Sequence, residues 1–255
     1  MGVILQAKNV RKVYGSKSTL FPALNSVSLE VHEGEFVGVM GPSGAGKSTL
    51  LNVLSTIDKA TSGSIEIDGK PFEDMRAKEM AVFRRDKLGF IFQDYNLLDT
   101  MTIKDNIALP LSLSKVKPSE VETRVGDVMR QFGIADLADK YPNEVSGGQK
   151  QRTAVSRAMV TNPALIFADE PTGALDSKAA TNLLESLVQA KEARDATIMM
   201  VTHDAFAASF CERILFIKDG ELFTEIYRGT ATRKQFFQKI LDVLAMLGGG
   251  MNDTI

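Results

Sequence analysis

The sequence predicts an α/β fold, a largely parallel sheet with a mostly helical segment inserted into it. Short apolar runs typical of buried strands alternate along the chain with stretches of helical spacing. Between about residues 94 and 162 the strand patterns stop and helical spacing continues. The chain has 255 residues, 44% apolar and 24% charged. These values are typical of an ordered globular protein rather than a disordered or membrane-spanning one.

Charge and cysteine content narrow the function classes. Thirty Lys and Arg against 32 Asp and Glu give a net charge of −2, which provides no general attraction to nucleic acid or anionic lipid. Cys211 is the single cysteine, and His32 and His203 are the two histidines, so a disulfide within the chain and a Cys- or His-based metal cluster are not expected. The sequence shows neither a long apolar span nor a signal-peptide pattern, so we expect a cytoplasmic protein.

The N-terminal part is predicted to be rich in strands. Residues 3–10 form a short mixed strand, residues 24–31 alternate apolar with polar side chains, and residues 35–40 fit a buried strand. A glycine-rich loop and a helix should follow. Asp68 and Gly69 are typical of a hairpin turn, and residues 88–92 form another apolar run.

The rest of the chain alternates helices with strands. Val121, Val125 and Val128 share one face of a predicted helix that stops at Gly133. The other predicted elements are a helix at 146–159, a strand at 165–168, a helix at 177–191, a strand at 197–202 and a hairpin near 219–220. The tail at 235–247 is predicted to be an amphipathic helix that ends at glycines 248–250. We expect it to pack on its own domain, with contact to a partner or a membrane surface as the alternative.

Eight consecutive residues match the P-loop pattern, in which four residues separate the first glycine from Gly-Lys-Ser: Gly41, Pro42, Ser43, Gly44, Ala45, Gly46, Lys47 and Ser48. Small residues let backbone N–H groups surround phosphate oxygens, and the helix beginning near Lys47 adds its positive end. Lys47 can reach the β- and γ-phosphates, and Ser48 can offer its hydroxyl to Mg²⁺. Thr49 lies one residue further into the helix. A structural glycine turn is the alternative, but the position between an apolar run and a helix favours phosphate binding.

Two acids follow the apolar run at 165–168. Asp169 can hold Mg²⁺ through water, and Glu170 can polarise an attacking water. An acidic turn after a strand would also explain them. In combination with the upstream P-loop, however, the pair indicates nucleotide hydrolysis.

Further segments connect these motifs to a family. Ser146, Gly147, Gly148 and Gln149 open a predicted helix, which makes a second anion-binding helix start. Asp176 and His203 follow the acidic pair. From about residue 5 to 229 the sequence resembles the ATP-binding subunit of an ABC transporter.

The resemblance implies a P-loop NTPase core of the ABC ATPase type, with an inserted, mostly α-helical subdomain and an N-terminal antiparallel β region. Residues 1–230 would form one domain, with the core at 1–94 and 163–230 and the helical subdomain at 95–162. Residues 231–255 would form the C-terminal helix and tail.

It also implies roles for individual residues. Tyr14 would stack on adenine, although a half-buried strand tyrosine is the alternative. Gln93 would touch Mg²⁺ and the attacking water, and His203 would contact the γ-phosphate. Asp169 and Glu170 would be the metal-binding and catalytic acids, while His32 has no counterpart and is predicted to lie in a loop. The signature motif, Ser146 to Gln149, is preceded by Val145 in place of the usual leucine.

The resemblance further implies a working cycle. Two copies would pack head-to-tail around two ATP molecules, so that the signature motif and the loop at Asp176 of one copy complete the site of the other. ATP would close this homodimer and hydrolysis would open it, driving a membrane permease from the cytoplasmic face of the membrane. The surface at about residues 94–113 is the candidate for receiving a permease helix.

Segments at 93–100, 106–111, 144–152 and 169–177 look like the branch of ABC ATPases that contains the lipoprotein-release, macrolide-efflux and cationic-peptide-resistance types. Within that branch, residues 95–100 and the tail at 235–249 look most like the bacitracin-export type. That type protects against cell-wall-targeting peptides and signals to a sensor kinase through its permease. A lipoprotein-release or macrolide-efflux ATPase is the nearest alternative.

Two other classes of protein are alternatives to a transporter ATPase. A soluble ABC protein of translation or DNA repair usually carries two ATPase halves in one chain, and this chain has one. A P-loop kinase or GTPase is disfavoured by the signature motif and by the lack of an Asn-Lys-x-Asp segment. We expect no nucleic-acid partner.

Overall fold

The computed structural model describes residues 2–16, 19–73 and 75–248. The chain divides into two compact units, Met1–Met75 together with Ile198–Ile255, and Arg76–Thr197. The division proposed from the sequence, with boundaries at 94, 162 and 230, stays a prediction, and residues 249–255 of its tail lie outside the described residues.

The strands follow one another in this order: β1 (Val3–Ser16), β2 (Thr19–His32), β3 (Phe36–Met40), β4 (Ser62–Ile67), β5 (Lys70–Pro71), β6 (Leu88–Ile91), β7 (Leu165–Asp169), β8 (Ile198–Val201), β9 (Arg213–Lys218) and β10 (Glu221–Tyr227). The helices are α1 (Lys47–Leu54), α2 (Ala77–Lys87), α3 (Ile103–Leu113), α4 (Pro118–Gln131), α5 (Gly147–Met159), α6 (Ser177–Arg194), α7 (Ala205–Ala208) and α8 (Arg233–Gly248). Short 3₁₀ turns lie at Ala135–Leu137 and Pro142–Glu144.

The first unit contains an antiparallel sheet of order β2-β1-β4-β5. The predicted turn between β4 and β5 is present, and both Asp68 and Gly69 have positive φ, at 51° and 69°. Two successive residues with positive φ define the tight turn that suits a twisted hairpin. His32 is the last residue of β2, so its prediction as a loop residue is wrong by one position: the turn begins after it.

The same unit contains parallel pairing around β3. Strand β3 pairs in parallel with β8 on one side and β9 on the other, and β10 pairs antiparallel with β9. All five residues of β3 are buried, as expected for a strand covered on both faces. Asp219 and Gly220 turn the chain between β9 and β10, again with two positive φ values, 51° and 77°.

The second unit is mostly helical. Strands β6 and β7 pair in parallel, and α5 packs against β6. Helices α3 and α4 pack against α5 and against each other. In α4, Val125, Val128 and Met129 are buried, and Gly133 follows the helix end with φ 61°. The predicted face and glycine stop of this helix are therefore present in the structure.

Three helices were not predicted individually from the sequence: α2, α3 and the four-residue α7. Helix α2 is largely polar and buries Phe83, so it lacks an apolar period. Helix α3 contains Pro110 and lies within the segment predicted to be mostly helical, but its bounds were not predicted. Its start does carry a local signal, because the Thr102 side chain caps the helix by accepting from the Asp105 N–H.

The tail forms the predicted helix, α8, packed on its own unit. Phe236, Ile240 and Leu247 are buried, while Leu241 is exposed. The Arg233 guanidinium lies 4.2 Å from the ring centroid of Phe210, next to α7. In the described part of the chain, none of the helices is both long and apolar enough to cross a membrane.

Asn106 offers a test of the α3 entry loop. Its buried side chain accepts from the Leu98 N–H and donates to the carbonyls of Leu98, Met101 and Thr102. We predict that Asn106→Ala lowers the free energy of unfolding by about 3 kcal/mol, because the loop groups lose their partners inside the protein. Denaturant unfolding measures this. Asn182→Ala, on the exposed side of α6, is the matched control and should change stability by less than about 0.5 kcal/mol; equal losses in the two variants contradict the prediction.

Candidate functional site

The phosphate loop connects β3 to α1 in the first unit. Gly41 and Gly46 have φ of 153° and 100°, which side chains rarely tolerate. Neighbouring backbone also leaves no room: a Cβ on Gly41 would lie 2.0 Å from the Ile217 carbonyl oxygen, and one on Gly46 would lie 2.4 Å from that of Ala23. Glycine is therefore required at both ends of the loop, for backbone conformation and for space.

Backbone hydrogen bonds fasten the loop to distant strands. The Gly220 N–H donates to the Ala45 carbonyl at 3.0 Å, and the Asn25 N–H donates to the Gly220 carbonyl at 2.7 Å. The β9–β10 turn thus lies between β2 and the loop, and holds the loop from outside.

Lys47 closes the loop from within. Its Nζ donates to the carbonyl oxygens of Gly41 and Pro42, at 2.9 Å each. Gly46 caps α1 and provides no side-chain hydrogen bond to the first N–H groups of the helix. Ser48 is exposed and Thr49 half-buried on the first turn. A lysine, a hydroxyl and a helix start together make an anion site suited to phosphate.

Two more predicted residues lie in the first unit. Tyr14 is 40% exposed on β1, and its hydroxyl donates to Asp58 at 2.7 Å. His203 is exposed in the short connection between β8 and α7. Its neighbours are fixed: the Thr202 N–H donates to the Val39 carbonyl, and the Asp204 side chain caps α7. The histidine is therefore presented from an ordered backbone.

In the second unit, Asp169 ends β7 and Glu170 begins the next turn. Glu170 has φ 46°, an unusual conformation for a residue with a long side chain, and its carbonyl accepts from the Gly173 N–H at 3.0 Å. Strained backbone of this kind clusters at functional positions. Gln93 lies against the same turn, because a Cβ on Gly173 would be 3.4 Å from its side-chain Cδ. The structure thus brings Gln93 and the Glu170 turn together.

The signature motif forms a capping box at the start of α5. The Ser146 N–H donates to Gln149 Oε1 at 2.8 Å, and the Gln149 N–H donates to Ser146 Oγ at 3.3 Å. Gly147 and Gly148 occupy the first helical positions, where backbone N–H groups have no partner within a helix. A cavity of about 340 Å³ is lined by Ser146, Gly147, Gly148 and Asp176, among others. The structure therefore joins the signature motif to the loop at Asp176.

The sequence analysis missed two polar residues that hold this arrangement. Gln151 is fully buried, and its Nε2 donates to the Pro171 carbonyl at 2.8 Å. The Arg157 guanidinium donates to the backbone carbonyls of Tyr95, at 2.7 Å, and Asn96; burial lowers the pKa of this arginine. Through these contacts α5 holds the segments that follow Glu170 and Gln93. Polar residues on the buried face of an amphipathic helix are the signal that would have identified them.

Comparisons with known proteins identify the family of the chain. A family model described as ABC transporter matches residues 24–173. The bacitracin export ATP-binding protein BceA of Halalkalibacterium halodurans is 51% identical over 98% of this chain and 99% of its own length. The uncharacterized ABC transporter ATP-binding protein MJ0796 of Methanocaldococcus jannaschii is 42% identical over 86% of this chain and 95% of its own. A dimeric structure of MJ0796 bound to ADP and Pi has a TM-score of 0.80 at 40% identity, and covers 88% of this chain and 98% of that one.

The chain belongs to the ABC transporter family. As such it is an ATP-binding and ATP-hydrolysing subunit that powers a membrane transporter. The predicted family, the ABC ATPase type of α/β fold and the prediction of an ATP hydrolase are thereby confirmed.

Two glycines of the phosphate loop provide a matched stability test. Gly46→Ala combines positive φ with a close approach to Ala23, whereas a Cβ on Gly44, at φ 77°, meets nothing within 4 Å. We predict that Gly44→Ala costs about 1 to 2 kcal/mol and that Gly46→Ala costs at least about 2 kcal/mol more. Thermal unfolding without nucleotide measures both variants, and equal shifts in Tm would show that backbone crowding at Ala23 is not limiting.

Proposed function

We propose that this chain powers an ABC permease that gives resistance to bacitracin-like or other cell-wall-targeting peptide antibiotics. The observation that carries the proposal is its 51% identity to a bacitracin export ATP-binding protein, over nearly the full length of both chains. The macrolide export protein MacB of Neisseria gonorrhoeae, which represents the alternative, is 40% identical over 87% of this chain and 34% of its own length. Identity and shared length both favour the bacitracin-export type.

In this proposal the residues of the first unit bind the nucleotide. Tyr14 stacks on adenine. The backbone N–H groups of the phosphate loop and Lys47 hold the β- and γ-phosphates, with Lys47 exchanging the loop carbonyls for phosphate oxygens. His203 contacts the γ-phosphate.

A divalent cation fits the proposed donor set. Ser48, Gln93 and Asp169 offer a hydroxyl, an amide and a carboxylate, which are the hard oxygen ligands that suit Mg²⁺. When bound with ATP, Mg²⁺ would neutralise part of the phosphate charge. Glu170 would orient the attacking water and accept its proton. The backbone at Glu170, with φ 46°, supports this role because residues held in such strained conformations cluster at functional sites.

A second copy of the chain is the proposed partner for the signature motif. Ser146 to Gln149 and Asp176 would face the nucleotide bound to the other copy. Their shared cavity supports this arrangement, and MJ0796 forms dimers in its solved structures.

The proposed membrane partner is a permease, so the chain would bind at the cytoplasmic face of the membrane. Exposed Leu98 and Leu113 support the segment at about 94–113 as the permease contact. A sensor kinase would be reached through that permease.

Glu170→Gln tests the catalytic assignment. The amide still fits the turn but cannot accept the proton of water, so we predict a loss of ATP hydrolysis of about 100-fold or more. ATP binding should persist, and the variant should elute as a dimer with MgATP in size-exclusion chromatography. Glu185→Gln, on the exposed face of α6, should behave as wild type. ATP hydrolysis at the wild-type rate in Glu170→Gln would contradict the catalytic role of Glu170.

The permease itself tests the biological role. We predict that gentle purification of this chain from native membranes brings down a permease with about ten predicted spans and one large external domain, each span needing roughly 20 apolar residues. Cells carrying Glu170→Gln should then become sensitive to bacitracin. A four-span permease with a periplasmic domain would instead support the macrolide-efflux or lipoprotein-release alternative.

A further inference from the structure

Lys12 and Asp58, which lie on either side of the phosphate loop in the sequence, both contact the side chain of Tyr14. Asp58 accepts three hydrogen bonds, from the Tyr14 hydroxyl at 2.7 Å, from Lys12 Nζ at 2.6 Å and from the Lys59 N–H at 2.7 Å. Lys12 Nζ also donates to the Lys59 carbonyl at 2.9 Å. Tyr14 is therefore one member of a connected polar group.

Lys12 also covers one face of the tyrosine ring. Lys12 and Tyr14 are two residues apart on β1, so their side chains lie on the same side of the strand. Lys12 Nζ lies 4.6 Å from the ring centroid, within the range of a cation–π interaction. The lysine side chain is 11% exposed, whereas Tyr14 is 40% exposed. One face of the ring is thus occupied, and the exposed part of the ring remains for a ligand.

The group is anchored to the helix that begins at the phosphate loop. Asp58 follows α1, and its backbone N–H donates to the Asn52 carbonyl in that helix at 3.0 Å. The hydrogen bond to Asp58, followed by burial, raises the pKa of Tyr14, while the Thr49 side chain of α1 lowers it. Burial acts to raise the pKa of Asp58, but the hydrogen bonds from Lys12 and Tyr14 outweigh it and the pKa is lowered. The tyrosine therefore stays a donor and the aspartate a charged acceptor around neutral pH.

We propose that Lys12 and Asp58 are positioning residues that hold Tyr14 as a preformed stacking surface for the purine base, at a fixed distance from the phosphate loop. The inference rests on the proposed role of Tyr14 in nucleotide binding. A side chain already fixed in its binding conformation loses less entropy when the base binds. We call the connected side chains of Lys12, Tyr14 and Asp58 the clamp. The clamp then contributes to affinity for the base and leaves affinity for the phosphates unchanged.

That separation distinguishes positioning from general structural support. If the clamp merely fastened β1 to α1, breaking it would loosen the phosphate loop and weaken every phosphate ligand alike. A positioning role affects ATP and spares inorganic tripolyphosphate, which carries phosphates without a base. The comparison of these two ligands is therefore the test.

The experiment measures equilibrium binding of ATP and of tripolyphosphate, with Mg²⁺, to the full chain. Tyr14→Phe keeps the ring and removes the hydroxyl that donates to Asp58, and Asp58→Ala removes the carboxylate that accepts this hydrogen bond. We expect each to weaken ATP binding about 3- to 10-fold while tripolyphosphate binding stays within about twofold of wild type. Because both changes break the same hydrogen bond, the double variant should bind ATP no more weakly than the single variant with the lower ATP affinity. Asp58→Asn, which keeps an acceptor oxygen, should recover part of the affinity.

Two further variants complete the design. Glu122→Ala removes the exposed partner of Lys104, an ion pair of similar length at 2.7 Å, and should leave both ligands unaffected. Tyr14→Ala removes the stacking ring and should weaken ATP at least as much as Asp58→Ala. Parallel losses of ATP and tripolyphosphate in Asp58→Ala overturn the positioning role. Wild-type ATP affinity in Tyr14→Ala overturns the stacking role of Tyr14, and this inference with it. A loss in Tyr14→Ala with wild-type affinity in both Tyr14→Phe and Asp58→Ala overturns the clamp alone.

Discussion

The first unit is organised by the crowding of backbone around the phosphate loop. The carbonyl oxygens of Ile217 and Ala23 approach Gly41 and Gly46 so closely that no side chain fits there. The loop can therefore take one course between β3 and α1, with its lysine folded across it. Burial of β3 on both faces fixes where that course starts. An anion site formed by backbone groups needs this rigidity, because its donors cannot be re-aimed by changing rotamers.

In the second unit, helix α5 performs the corresponding role. Ser146 and Gln149 close a capping box at its start. Gln151, one turn further on, holds the turn after Glu170, and Arg157 near the helix end holds the segment after Gln93. One helix thus helps to position the three segments that carry the proposed site residues Gln93, Ser146 and Glu170. A shift of α5 along its axis would be felt by all three segments together, which suits a subunit whose states are linked to nucleotide.

Sequence reasoning succeeded where local chemistry decides structure. Asp-Gly pairs correctly predicted two hairpin turns, Ser146 predicted the start of a helix, and Gly133 predicted the end of another. It failed where tertiary contacts decide: polar α2 buries too little to show a period, and β1 extends beyond residue 10 through pairing with β2. Motif spacing predicted the phosphate loop, whereas Tyr14 and Gln93 became candidates only through the resemblance to a family. Asp58 could not be predicted, because nothing in its neighbourhood indicates that it meets a tyrosine 44 residues away.

The hydrogen bond from Gly220 to Ala45 has a consequence for the order in which the protein is made. Synthesis proceeds from the N-terminus, so the P-loop motif leaves the ribosome long before the β9–β10 turn that supports it. Joining such distant segments carries a loop-closure cost that only a formed sheet offsets. We therefore expect nascent chains to carry the complete motif without being competent to bind nucleotide. The ability to bind nucleotide should appear late, once β9 and β10 have joined the sheet. Binding of ATP would then mark a subunit whose sheet is completely folded.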